Sequence, residues 1–81
     1  LMPLDEVVKK YGPIKLLKMD IEGGEHEALS EFQRWNEVES MVAEFHINQL
    51  LAQRGYDIEK LAANVRERTN LLYFERCRMA D

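Results

Sequence analysis

The apolar run Ile14 to Met19 is closed by Asp20 and, a turn later, by the pair Gly23-Gly24. Beyond the glycines, Ala28, Leu29, Phe32 and Trp35 recur at i, i+1, i+4 and i+7, which is one face of a helix. The pattern then changes: Glu39 to His46 alternates, with Met41, Ala43 and Phe45 on one side and Val42, Glu44 and His46 on the other. Two strands separated by one helix cannot form a hairpin. At this spacing they are parallel neighbours joined by a right-handed crossover, and the fold class is α/β.

The flanking segments extend this frame. Leu4, Val7 and Val8, with Asp5 as a cap, form a short helix that Gly12-Pro13 ends. The first strand reads as largely buried, its two lysines snorkelling to the margins of the sheet. Ile47, Leu50 and Leu51 mark a short helix closed by Gly55. From Tyr56 to Arg68, Ile58, Leu61, Ala62 and Val65 fit a helix, although Gly55-Tyr56-Asp57-Ile58 also fits the start of a short strand; periodicity favours the helix. Thr69 to Cys77 is dense in aromatic residues and reads as a strand.

At 81 residues the chain is one domain, and its 46% hydrophobic content is that of a folding sequence. So small a domain buries only about 60% of its unfolded surface, so a large enclosed pocket is not expected. A net charge of -4 with no basic stripe argues against nucleic acid as a partner. The single cysteine, Cys77, forms no internal disulfide, reads as a buried thiol and fits a reducing, cytoplasmic setting. No apolar run approaches a membrane span or a signal peptide. The opening residue, Leu1, points to a piece of a longer protein.

The chemistry concentrates at the carboxyl ends of the two strands. Asp20 and Glu22, two residues apart, share a face while the chain stays extended, about 7 Å from one another. Glu44 and His46 have the same relation on the next strand. If the strands are neighbours the pairs converge in the crevice where open α/β sheets bind ligands, and a histidine beside a carboxylate is suited to accept a proton. Glu25, His26 and Glu27 are explained by the acidic first turn of a helix. The four surrounding carboxylates argue against phosphate on Gly23-Gly24. A divalent cation on Asp20, Glu22 and Glu44 is chemically allowed, but the spacing is not diagnostic and the two histidines with Cys77 match no zinc pattern, so no metal is expected.

The blocks Leu4-Asp5-Glu6, Leu16 to Glu25, Leu29, Val42 to His46 and Gly55-Tyr56 together resemble the FkbM family of S-adenosylmethionine-dependent methyltransferases. The match covers the second half of such a domain and departs from it at Gly24, where the family usually has alanine. The resemblance implies a partial Rossmann-like class I methyltransferase sheet, with Ile14 to Asp20 as its fourth strand and Ser40 to His46 as its fifth. It also implies a final antiparallel pair, Tyr56 to Lys60 and Leu71 to Cys77, against the helical reading of this region. The glycine-rich loop that holds the cofactor lies in the family's first half, and no G-x-G occurs here.

Residues 1–81 are therefore expected to be the C-terminal portion of an O-methyltransferase domain, inactive alone and without tight affinity for S-adenosylmethionine. A small-molecule hydroxyl would attack the sulfonium methyl while His46 or Asp20 takes its proton, with Glu44 orienting the imidazole and Glu22 facing substrate. The alternative is a non-catalytic assembly module, self-associating through the exposed sheet edge.

Overall fold

The computed structural model describes residues 3–20 and 22–81. Helix α1 (Leu4–Tyr11) precedes strand β1 (Ile14–Met19), helix α2 (Glu25–Glu31) and a single 3-10 turn, Trp35–Glu37. Strand β2 (Val38–Ile47), helices α3 (Gln49–Gln53) and α4 (Ile58–Arg66), and strand β3 (Asn70–Arg78) complete the chain. The sheet has the order β1-β2-β3, and both pairings are parallel.

Two successive right-handed crossovers that advance the sheet in one direction place their helices over the same face. The buried residues agree. Val8 of α1, Leu29 of α2, and Ile58, Leu61, Ala62 and Val65 of α4 join Met19, Met41, Ala43 and Phe45 in one core, with Phe32, Trp35 and Val38 filling its end. On β2 Met41, Ala43 and Phe45 are buried while Val42 and Glu44 are half-exposed, as the alternation read from sequence has it; His46, on the outward side, is nevertheless buried. Among the described residues the opposite face carries no helix layer: Leu16 keeps 55% and Tyr73 61% of its surface in solvent.

Three expectations change. Strand β1 is not largely buried, since Lys15, Leu16 and Lys18 are exposed and only Met19 is buried; it is an outer strand with one covered face. Asp5 is not a helix cap. It lies within the first turn of α1, and its carboxylate accepts from the backbone N–H groups of Gln33 (3.1 and 3.3 Å) and Arg34 (3.0 Å), tying α1 to the chain leaving α2. The helical period of 28 to 35 outruns the helix, which stops at Glu31, yet Phe32 and Trp35 still reach the core and meet edge to face at 4.8 Å.

The antiparallel pair implied by the family resemblance is absent among the described residues. Residues 58–66 form α4, whose start is capped by the Asp57 carboxylate accepting from Lys60 N–H at 3.0 Å. That helix buries its apolar face, and β3 then runs parallel to β2 in the register Ala43 to Phe74 and His46 to Cys77. The apolar spacing of Ile58, Leu61, Ala62 and Val65 suits a helix and would split between two faces of a strand. Among the described residues, no helix is long and apolar enough to cross a membrane.

Candidate functional site

Parallel strands bring their carboxyl ends to one side of the sheet, and Asp20, Glu44, His46 and Cys77 meet there. Met19 is level with Ala43 in the register, so Asp20 leaves β1 beside the end of β2. Its Oδ1 lies 3.7 Å from His46 Nε2. Glu44 and His46 share a face two residues apart on β2, and Cys77, opposite His46 on β3, donates its thiol to Glu44 Oε1 at 3.8 Å. Burial, then the Glu44 and Glu75 carboxylates, push the Cys77 thiol above its usual range. The convergence of Asp20 with Glu44 and His46, expected from neighbouring strands, is present.

Glu22 does not join them. Glu22 lies in a turn and is exposed with φ 39°, and the extended geometry that would pair the two carboxylates ends with β1. A non-glycine residue in this left-handed region marks a tight turn, which Gly23 continues with φ 99°.

The residue that sequence reasoning passed over is Glu25. It has no exposed surface. Its carboxylate accepts from Gly23 N–H at 3.1 Å, from His46 N–H at 2.9 Å, and from His46 Nδ1 at 3.3 Å to either oxygen. Beside it, His26 Nε2 lies 2.7 Å from the carbonyl oxygen of His46, and its ring lies 5.0 Å from that of Tyr56. A carbonyl only accepts, so His26 Nε2 carries the proton.

The physical reason for this arrangement is the unequal length of the strands. The last pairing between β1 and β2 is Met19 with Ala43, so the N–H and C=O of His46 have no strand beside them on that side. Buried backbone groups need partners, and the Glu25 carboxylate and His26 imidazole supply both. Helix α2 thus continues the hydrogen bonding of β1 with side chains. Glu25 and Glu27 both stand in the acidic first turn of α2, as expected, but buried Glu25 and His26 do more than complement the helix.

Glu25 also decides how the imidazole of His46 is held. A carboxylate accepts only, which assigns the proton to Nδ1 and leaves the Nε2 lone pair directed toward Asp20. The orienting acid is therefore Glu25, from α2, and not Glu44. No local pattern signals this, because the strand end that Glu25 completes is that of β2, reached only later in the chain.

The turn itself is not built for a ligand. A Cβ on Gly23 would lie 2.8 Å from Met79 Cε and 3.4 Å from Leu51 Cδ1, so the close approach that glycine permits is used by the protein's own side chains. The Gly23 N–H that an anion would seek is already taken by Glu25. An open groove of about 550 Å³ lies against β1 instead, lined by Leu4, Val7, Leu17, Met19 and Phe32, with Asp20 also on its wall.

Comparison with known proteins places the chain in a family. Neither the curated proteins nor the solved structures returned a match. The model of the methyltransferase FkbM domain matches residues 1–76, nearly the whole chain, and the chain belongs to that family.

Proposed function

We propose that this chain supplies the proton-accepting half of an O-methyltransferase site, with His46 as the base and Asp20 beside it. The observation that carries the reading is the Glu25–His46–Asp20 arrangement at the carboxyl ends of adjacent parallel strands. Methyltransferase chemistry follows from the family, which implies S-adenosylmethionine in the full-length enzyme. The residues present do not form a cradle for that cofactor: no G-x-G turn exists, and the one glycine turn beside the site is filled by Met79. In this reading residues 1–81 are the C-terminal portion of the catalytic domain and are inactive alone.

The part played by the chain's own residues is proton handling. A substrate hydroxyl approaching from the open side meets the Nε2 lone pair, which accepts its proton as the oxygen becomes nucleophilic. The imidazolium so formed has the Glu25 carboxylate at Nδ1 and Asp20 at Nε2, both opposing its charge. The apolar groove that reaches Asp20 suits a small-molecule acceptor with a hydrocarbon body and a terminal hydroxyl. Glu22, exposed on the turn, is left with contact to substrate as its only role in this reading.

Calorimetric titration of the chain with S-adenosylmethionine is expected to show no binding tighter than millimolar; micromolar binding would refute the catalytic incompleteness. In the enzyme completed by a cofactor-binding half, His46→Ala and Asp20→Ala are expected to lower methyl transfer, by about 100-fold or more for the base. Unchanged transfer in both variants would remove the assignment.

A second reading, assembly without catalysis, draws on the bare sheet face and on the two outer strands, β1 and β3, each with one unpaired edge. Its partner is a second copy of the chain. Sedimentation velocity decides this, and a monomer at high concentration argues against it.

A further inference from the structure

Glu44, His46 and Cys77 each offer one donor atom, and these atoms lie within 4.8 Å of one another. We propose that they form a site for a borderline-soft divalent cation, zinc above all, at the carboxyl end of the sheet. The proposal does not rest on the methyltransferase reading, because cation binding is measured without any transfer reaction; a cation on His46 Nε2 would occupy the lone pair used as base in that reading, so the two occupancies exclude one another.

The donor set selects the metal. A thiolate, an imidazole and one carboxylate favour zinc, whereas magnesium and calcium require oxygen donors throughout. Tetrahedral zinc, with ligands about 2.0 to 2.3 Å from the ion, separates oxygen from sulfur donors by about 3.5 Å. Glu44 Oε1 and Cys77 Sγ stand 3.8 Å apart, so that edge is nearly formed. Closing the remaining edges falls to half-buried Glu44 and Cys77, because His46 is buried and its ring is held by Glu25.

The imidazole is prepared for this. With Nδ1 engaged by Glu25, the nitrogen free for a metal is Nε2. A histidine that binds a metal through one nitrogen and a buried carboxylate through the other is held in a single tautomer and orientation, and is a stronger ligand for it. This second observation, a wholly buried carboxylate fixed behind the ligand, is independent of the donor cluster itself. Asp20, 3.7 Å from Nε2 and partly exposed, stands beside the open fourth position. Binding displaces the thiol proton of Cys77 to solvent, and the metal–sulfur bond takes the place of the S–H bond.

Cobalt(II) is the probe, added to the folded chain under anaerobic, reducing conditions and displaced afterwards by zinc. Because Cys77 is the single cysteine, a thiolate-to-cobalt charge-transfer band in the near ultraviolet reports this residue alone. The expected result is that band together with intense visible bands of tetrahedral cobalt, saturating at one equivalent with micromolar affinity. Cys77→Ser is expected to abolish the charge-transfer band, and Glu44→Gln to weaken binding about tenfold or more. Glu25→Gln, which touches no metal, is expected to weaken it by about 10- to 100-fold. Far-ultraviolet circular dichroism of each variant establishes that the fold survives. If the Glu25 variant unfolds, Cys77→Ser and Glu44→Gln carry the test. Absence of binding, octahedral spectra without a thiolate band, or a spectrum unchanged in Cys77→Ser would each overturn the site.

Discussion

Glu25 shows how one side chain can hold two parts of a molecule together. Its carboxylate closes the turn through Gly23 N–H and the strand end through His46 N–H, and it does so with no exposed surface. Glu25→Ala leaves those donors buried without an acceptor, and a loss of about 3 kcal/mol in urea unfolding is expected, with Glu25→Gln losing less because its amide oxygen still accepts. Trp35 presents the opposite case. Its indole Nε1 is buried and has no hydrogen-bond partner among the described residues. Trp35→Phe gives up some packing but also removes an unpaired donor, so its unfolding free energy is expected to stay within about 1 kcal/mol of the parent. A cost above about 3 kcal/mol would mean that the indole nitrogen is bonded in solution.

Among the elements, α4 and β3 are joined by contacts that respond to solution conditions. Asp57 caps α4, and Asp57→Ala is expected to cost about 1 kcal/mol in thermal or denaturant unfolding. On the outer surface Glu59 of α4 forms a bidentate pair with Arg76 of β3, and the guanidinium also lies over the Phe74 ring at 4.7 Å. The hydrogen bond from Arg76 holds the Glu59 carboxyl below its usual range. A carboxyl whose pKa falls on folding adds stability above its unfolded pKa and loses that contribution as pH drops through the folded value. Both groups are fully exposed, so the effect is small and is weakened by salt. Parent and Arg76→Met chains should therefore differ more in unfolding midpoint at neutral pH than at pH about 3, and more in low salt than in high. A difference independent of pH would assign the role of Arg76 to its contact with Phe74 alone.

For the molecule as a whole, one face of the sheet is covered by helices while the other shows exposed side chains such as Leu16 and Tyr73, and on the assembly reading that bare face is what associates. Leu16→Glu together with Tyr73→Glu is expected to shift sedimentation toward monomer while leaving the core intact, because both side chains are more than half exposed. The linear pattern alone determined the strand–helix–strand order, the inward row Met41, Ala43 and Phe45, and the pairing of Glu44 with His46, since hydrophobic spacing and side-chain alternation are local properties. It also held the choice of helix for residues 58–66, which the family analogy would have exchanged for a hairpin. Only the tertiary structure decided that Glu22 turns away, that Asp5 serves a distant backbone, and that Glu25 and His26 complete the sheet. These roles depend on where β1 stops relative to β2, and strand register is set by packing across the whole sheet, which no short window of sequence contains.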